Sequence, residues 1–239
     1  MTGVIFRLTM RQMLGQRRTL LLGLLALVPI LLALVYFLAA SPEYLNVGTR
    51  TAPVLVSGDR EWVAKALLGE IVLASLLPLA ALIFATAVLG SEIDDGTAVY
   101  LLSKPIPRWQ VLFAKGLAAW SVTVLFTLPA AVVAAAIALA VPDGELRPAL
   151  QPLVDNGSAV RLVGAFGVAI VAGALVYTAV FVLLSLWTSR AFIAGLIYVF
   201  LWEGVVTRLF EGTRILSVRQ YSRGLAELLA GVPAPVFDA

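Results

Sequence analysis

Few side chains in this sequence could carry chemistry, and they fall into one stretch and one isolated position. The stretch lies between two apolar segments and combines carboxylates, turn-forming residues, leucines and an arginine. Its members are Glu92, Asp94, Asp95, Gly96, Thr97, Leu101, Leu102, Pro105 and Arg108. The isolated residue is Glu203, inside the apolar run 192–210. Because the chain has no His and no Cys, we expect neither a transition-metal site nor Ser-His-Asp or Cys-His catalysis.

The stretch 91–108 has the residue order of a short helix between two bends. Asp94, Asp95 and Thr97 are residue types that cap helices, and the apolar residues after them can form about one and a half turns. Pro105 then disfavours helix at the residue before it. A short helix of this kind is suited to docking in a groove of a soluble partner. The alternative is a plain solvated connection, since Asp, Gly, Pro and Ser occur in any loop.

Glu203 raises a different question, because a lone carboxyl group inside a membrane span costs a few kcal/mol. We therefore expect it to be protonated, exposed to water in a cavity, or paired. Arg208 is poorly aligned with it on an ideal helix, so a partner from another span or from a second subunit is equally expected. Two interpretations remain open: Glu203 is a gate or pathway residue, or it is an interfacial residue near the wet end of a short helix.

The amino-acid composition indicates that the chain is a membrane protein. Of 239 residues, 61% are hydrophobic and 13% charged, about half the charged fraction of a soluble domain. The mean hydropathy of +1.00 agrees. These values exclude a disordered chain, a disulfide scaffold and an ordinary soluble enzyme. The net charge of +3 does not indicate nucleic-acid binding, because no soluble basic domain is present to form a patch.

Hydropathy predicts an all-α, polytopic helical bundle that forms a single transmembrane domain over residues 1–239. Its five spans lie at about 20–40, 71–89, 111–141, 162–187 and 192–210. An amphipathic lead (1–19) precedes them and an interfacial tail (211–239) follows them. We favour a span at 20–40 over a signal peptide, whose apolar region of about 7–15 residues is shorter. Lys115 lies near one end of the third span, where its side chain can snorkel to the headgroups.

Basic residues predict a cytoplasmic N-terminus. With that orientation, eight Lys and Arg residues fall in cytoplasmic segments and five in the two outer loops. The lead 1–19 and the loop 91–108 are then cytoplasmic. The C-terminal segment disagrees with the rule, because an odd number of spans leaves outside the four arginines at or beyond the end of the fifth span; they are Arg208, Arg214, Arg219 and Arg223.

The chain resembles the permease subunits of ABC-2-type ABC transporters, which are six-span exporters of bacterial membranes. The resemblance rests on the order and spacing of loop residues, namely Glu92, Gly96-Thr97, Leu101-Leu102, Pro105, Arg108 and Lys115. It extends to the basic N-terminal helix, the span layout, Trp202-Glu203 and the sequence 217–221. Such permeases usually have a sixth span, and because nothing after Phe210 is apolar enough, we expect this chain to end before it.

The resemblance implies a permease subunit in a bacterial-type plasma (inner) membrane, with export as its direction. It implies that the loop is a coupling helix seated in a separate ABC ATPase, and that a second permease copy, identical or related, completes the pathway. The sequence contains no Gly-x-x-x-x-Gly-Lys-[Ser/Thr] motif, so we expect ATP and Mg on the partner, no cofactor on this chain and no enzymatic activity of its own. The alternative is a membrane assembly or scaffold factor that recruits a soluble partner without transport.

Overall fold

The computed structural model describes residues 2–14, 17–40, 63–94, 108–139, 157–188, 190–209 and 211–230, and each element in these ranges is helical. Among these described residues, four helices are long and apolar enough to cross a membrane, and they contain Thr19–Leu38, Val63–Val88, Trp109–Leu139 and Val160–Trp187. The fifth predicted span corresponds to a shorter apolar helix, Ala191–Val206. The all-α, polytopic fold class is therefore confirmed.

We number the helices α1 to α7 in chain order. The first two are α1 (Thr2–Leu14) and α2 (Arg17–Ala40). Helix α3 (63–94) begins as a π-helix (Val63–Leu76) and continues as an α-helix (Leu77–Asp94). Helices α4 and α5 are Arg108–Leu139 and Gly157–Trp187. Helix α6 (191–209) has a central π-helical part, Tyr198–Val206; a 3-10 turn, Glu211–Leu216, then leads to α7, Val218–Ala230.

The long helices form because their sequences are nearly uncharged, and a backbone in lipid must satisfy its hydrogen bonds within the segment. Several buried hydroxyl groups are satisfied in the same way. Thr86, Thr123 and Ser185 each donate to the carbonyl four residues earlier, at 2.7, 2.9 and 2.8 Å. Pro29 in α2 and Pro129 in α4 lie inside helices, as membrane helices tolerate.

Helix α3 begins at Val63, eight residues before the predicted start at Ile71, so residues 63–70 are helical rather than part of a polar connection. The charges that lowered the hydropathy there are both accommodated. Lys65 is exposed, and Glu70 binds two arginines of α7. The buried side chains of Val63 and Leu67 hold this extra part of the helix in the bundle.

Helix α3 is the centre of the bundle. In its spanning segment 72% of the residues are buried, against 22% in that of α2, which lies at the periphery. Alanines on α4 and α5 pack into the same core, namely Ala130, Ala134, Ala138 and Ala169, and Ala165 is also buried. These small residues let the helices approach closely.

Two glycines lie where α3 and α5 pack tightly against their neighbours. A Cβ atom on Gly195 of α6 would lie 2.1 Å from Cδ1 of Leu82 on α3. A Cβ atom on Gly173 of α5 would lie 2.6 Å from Oγ of Ser222 on α7 and 3.0 Å from Cδ2 of Leu77. Helix α7 therefore packs directly on the membrane helices, along α5.

Candidate functional site

The predicted docking loop is described only at its two stems. Asp95, Gly96, Thr97, Leu101, Leu102 and Pro105 lie outside the described residues. Glu92 and Asp94 belong to the last turn of α3, and Arg108 is the first residue of α4. Residues 95–107 thus connect the end of α3 to the start of α4.

A buried lysine joins these two stems. Lys115 of α4 is only 3% exposed, and its Nζ donates to the carbonyl oxygen of Val88 on α3 at 3.4 Å. We expected this side chain to snorkel to the headgroups; instead it points into the bundle, where the α3 carbonyl accepts its hydrogen bond. The contact links α3 and α4 just before the loop begins.

Glu203 is buried at the meeting point of α5, α6 and α7, with 2% exposure. Tyr177 of α5 donates its hydroxyl hydrogen to Oε2. Tyr198 donates to Oε1 at 3.4 Å, and the backbone N–H of Val218 donates to the same oxygen at 3.2 Å. The predicted need for a partner is therefore met within this chain, by another helix and by the start of α7.

The contact with Val218 places a carboxyl group at the N-terminus of α7. The first N–H groups of a helix have no partner within it, and the helix dipole favours negative charge there. Ser217 also caps this end, because its Oγ accepts the N–H of Gln220 at 3.3 Å. At the other end, Nε of Arg161 on α5 donates to the carbonyl oxygen of Leu229 at 2.9 Å. A carboxyl oxygen at one end of α7 and a guanidinium at the other thus bind backbone groups that lack partners within the helix.

Helix α7 is also bound from the side. Glu70 of α3 accepts Nη2 of Arg219 on one carboxylate oxygen and Nη2 of Arg223 on the other, each at 2.5 Å. Arg223 also donates to the carbonyl oxygen of Gly69 at 3.2 Å. The side chains of Arg219 and Arg223 are 11% and 15% exposed, whereas that of Glu70 is 45% exposed. One carboxylate therefore holds two arginines at the edge of the bundle.

A cleft of about 140 Å³ lies between α3 and α6 beside these contacts. It is lined by charged, polar and apolar side chains, namely Glu70, Ala74, Ser75, Leu79, Val199, Phe200, Glu203, Gly204 and Arg219. All but Leu79 and Arg219 lie in the π-helical parts of α3 and α6. Glu203 thus lines a polar cleft and anchors α7 at the same time.

Sequence reasoning identified Glu203 but not its partners. Tyr177 is one aromatic residue among many in an apolar span, so nothing in its local sequence marks it. Glu70 and Arg161 were assigned to outer connections. The start of α7 did leave a signal, because Ser217-x-x-Gln220 has the pattern of a capping box.

These helices and the buried polar contacts between them define a multi-pass helical membrane protein. A profile of the family described as "ABC-2 family transporter protein" matches residues 4–213, which is most of the chain. The chain belongs to this family, and is thus a membrane permease component of an ABC transporter. No curated protein and no solved structure matches it.

Proposed function

We propose that the chain is the permease subunit of an ABC exporter whose ATPase is a separate protein that docks on the loop 92–108. The family match carries this proposal, because residues 4–213 include the whole loop. The missing nucleotide-binding motif supports an ATPase in trans, which would hold the ATP and Mg. The permease would lie in a plasma membrane with its N-terminus inside, and pair with a second copy, identical or related.

In this proposal, ATP binding shifts the population between two packed arrangements of the helices. Closure of the ATPase moves the loop, and the loop moves α3 and α4. The hydrogen bond from Lys115 to Val88 supports a joint movement, because it ties the two helices at the base of the loop. Helix α3 would transmit the movement to the interior of the bundle, since it lies at the centre of the bundle.

Glu203 acts in the same proposal as a gate residue. It lines the cleft between α3 and α6 and accepts the N–H of Val218 at the start of α7. A change in the position of α6 would therefore move α7 with it. Replacement of Glu203 by Gln should reduce transport, and unchanged transport by a correctly assembled Glu203→Gln protein would remove this role.

The docking loop is tested by the double variant Gly96→Pro with Leu101→Asp. Proline disturbs the start of the expected short helix, and aspartate places a charge on its apolar surface. We expect the amount of ATPase that co-purifies to fall at least about tenfold, as for loss of an interface hot spot. Ser103→Ala, in the same loop, is the matched control and should retain the partner. Undiminished association and ATP turnover in the double variant would contradict docking at this loop.

Transport is tested separately from docking, in the complex reconstituted with its ATPase. A transporter shows ATP hydrolysis that is stimulated by its substrate, because substrate and ATPase act on the same conformational equilibrium. A complex that assembles normally but shows no stimulation by any cargo that it is found to bind would contradict transport and favour a scaffold.

A further inference from the structure

Helix α3 links two parts of the molecule. Its inner end continues into the loop proposed to bind the ATPase, and Glu70 lies near its outer end. The 24 residues from Glu70 to Asp94 span roughly 35 Å at about 1.5 Å per residue. Any movement of the loop that shifts or tilts α3 as a unit therefore reaches Glu70.

Glu70 is the point at which α3 holds α7 by charge. The other two anchors of α7 join it to different helices, since Glu203 belongs to α6 and Arg161 to α5. Helix α7 packs along α5, with Ser222 beside Gly173. The ion pairs from Glu70 to Arg219 and Arg223 therefore bridge α3 to a group formed by α5, α6 and α7.

One of these ion pairs, that between Glu70 and Arg219, borders the cleft between α3 and α6. Glu70 and Arg219 both line this cleft, one from α3 and one from α7. While they remain bonded, α3 cannot move away from α7, and the cleft keeps its volume of about 140 Å³. Separation of the pair would widen the cleft on this side.

The burial of the three side chains suits a contact that forms and breaks. The arginines are largely buried, but the carboxylate of Glu70 is 45% exposed. The carboxylate is therefore not enclosed by protein on all sides, and water and salt that reach this face would screen the pair and limit its strength. A fully buried pair would be far harder to break, because a separated charge would be left without solvent.

We propose that Glu70, Arg219 and Arg223 form a latch that closes the cleft between α3 and α6, and that displacement of α3 by the docked ATPase opens it. The second half of this statement rests on the proposed function, whereas the first half concerns the permease alone. The experiment therefore has two arms, one without the ATPase and one with it.

The first arm uses the natural absence of cysteine. A single Ala74→Cys substitution places a thiol in the cleft, and a charged methanethiosulfonate reagent then reports access to it in purified permease in nanodiscs. In a Glu70→Gln background we expect the reaction to be about tenfold faster, the change expected from losing one charge-assisted contact. High salt should speed the reaction in the parent and have little effect in Glu70→Gln.

Lys65→Gln is the matched control, because Lys65 is an exposed charge one turn earlier on α3. It should react at the parent rate. Further variants distinguish loss of the latch from misfolding of Glu70→Gln. Arg223→Gln should also speed the reaction. Glu70→Arg combined with Arg219→Glu should react more slowly than Glu70→Arg alone. Equal rates in the parent, Glu70→Gln and Arg223→Gln would overturn the latch.

The second arm repeats the measurement in the complex with the co-purified ATPase. Mg-ATP should raise the reaction rate of Ala74→Cys in the parent and add little in Glu70→Gln, where the latch is already open. If the complex forms and hydrolyses ATP but the parent rate does not change, opening by the ATPase is refuted. The docking experiment on the loop is independent of both arms, so failure of the latch and failure of the proposed function are distinguishable.

Discussion

Replacing Glu203 with alanine is expected to lower the free energy of unfolding by about 3 kcal/mol, within the range for breaking buried, charge-assisted contacts. The substitution leaves three donors without an acceptor: the hydroxyl groups of Tyr177 and Tyr198 and the N–H of Val218. Tyr177 is fully buried, so water cannot easily replace the lost contact. The measurement is reversible unfolding in detergent micelles, followed by helix content.

The same substitution should free α7 before the rest of the bundle. A spin label on the exposed Tyr221 position should become more mobile in Glu203→Ala, because the N-terminus of α7 has lost a carboxyl contact. Glu203→Gln keeps the shape and one acceptor oxygen, so we expect an intermediate effect. Gln220→Ala, on the exposed side of α7, is the control for the effect that any substitution in this region has on stability. Equal stability of Glu203→Ala and Gln220→Ala would show that the contacts of Glu203 contribute nothing.

Replacing Gly173 with valine is expected to cost about 2 kcal/mol, the size of an overpacked core contact. The added Cβ would lie 2.6 Å from Oγ of Ser222 and 3.0 Å from Cδ2 of Leu77. Ser222 is buried and its hydroxyl group donates to the carbonyl oxygen of Val218 at 2.9 Å, so it cannot simply turn away. The valine must therefore push α7 off α5, which the label at position 221 and the unfolding midpoint would both report.

A matched control and a rescue make this result specific. Gly164 lies on the same helix with nothing within 4 Å of an added Cβ, so Gly164→Val should have only a small effect. Ser222→Gly removes the atoms nearest to the new side chain and should restore much of the stability of Gly173→Val. If Gly173→Val matches Gly164→Val in stability and in label mobility, α7 does not pack on α5 at this point.

Hydropathy predicted the fold class and the approximate positions of the spans because lipid imposes one strong condition, a long run of uncharged residues. It failed at the start of α3, where Lys65 and Glu70 interrupt the run. The partner that makes Glu70 acceptable in the helix, Arg219, is 149 residues away in sequence. The local composition around Glu70 cannot indicate a contact between residues so far apart in sequence.

Helix α7 was assigned to an interfacial tail for a related reason. Its 13 residues mix arginines with apolar residues, so their average resembles a surface segment. The buried positions Val218, Ser222 and Ala226 recur every fourth residue, which is the period of one helical face. That pattern predicts a helix packed on another surface, but it does not identify the surface. The same limit applies to Glu203. The sequence indicates that its carboxyl group needs a partner, but it does not identify that partner.

The contact between Gly195 and Leu82 has a geometric consequence for α3. Leu82 is twelve residues from Glu70 and twelve from Asp94, so the contact divides this part of the helix into two arms of roughly 18 Å at about 1.5 Å per residue. Gly195 presents no side chain there, and the side chain of Leu82 packs directly against its backbone. If α3 tilts about this point, it acts as a lever with two arms of equal length. A displacement of the end at Asp94 then appears at Glu70 with the same size and the opposite direction.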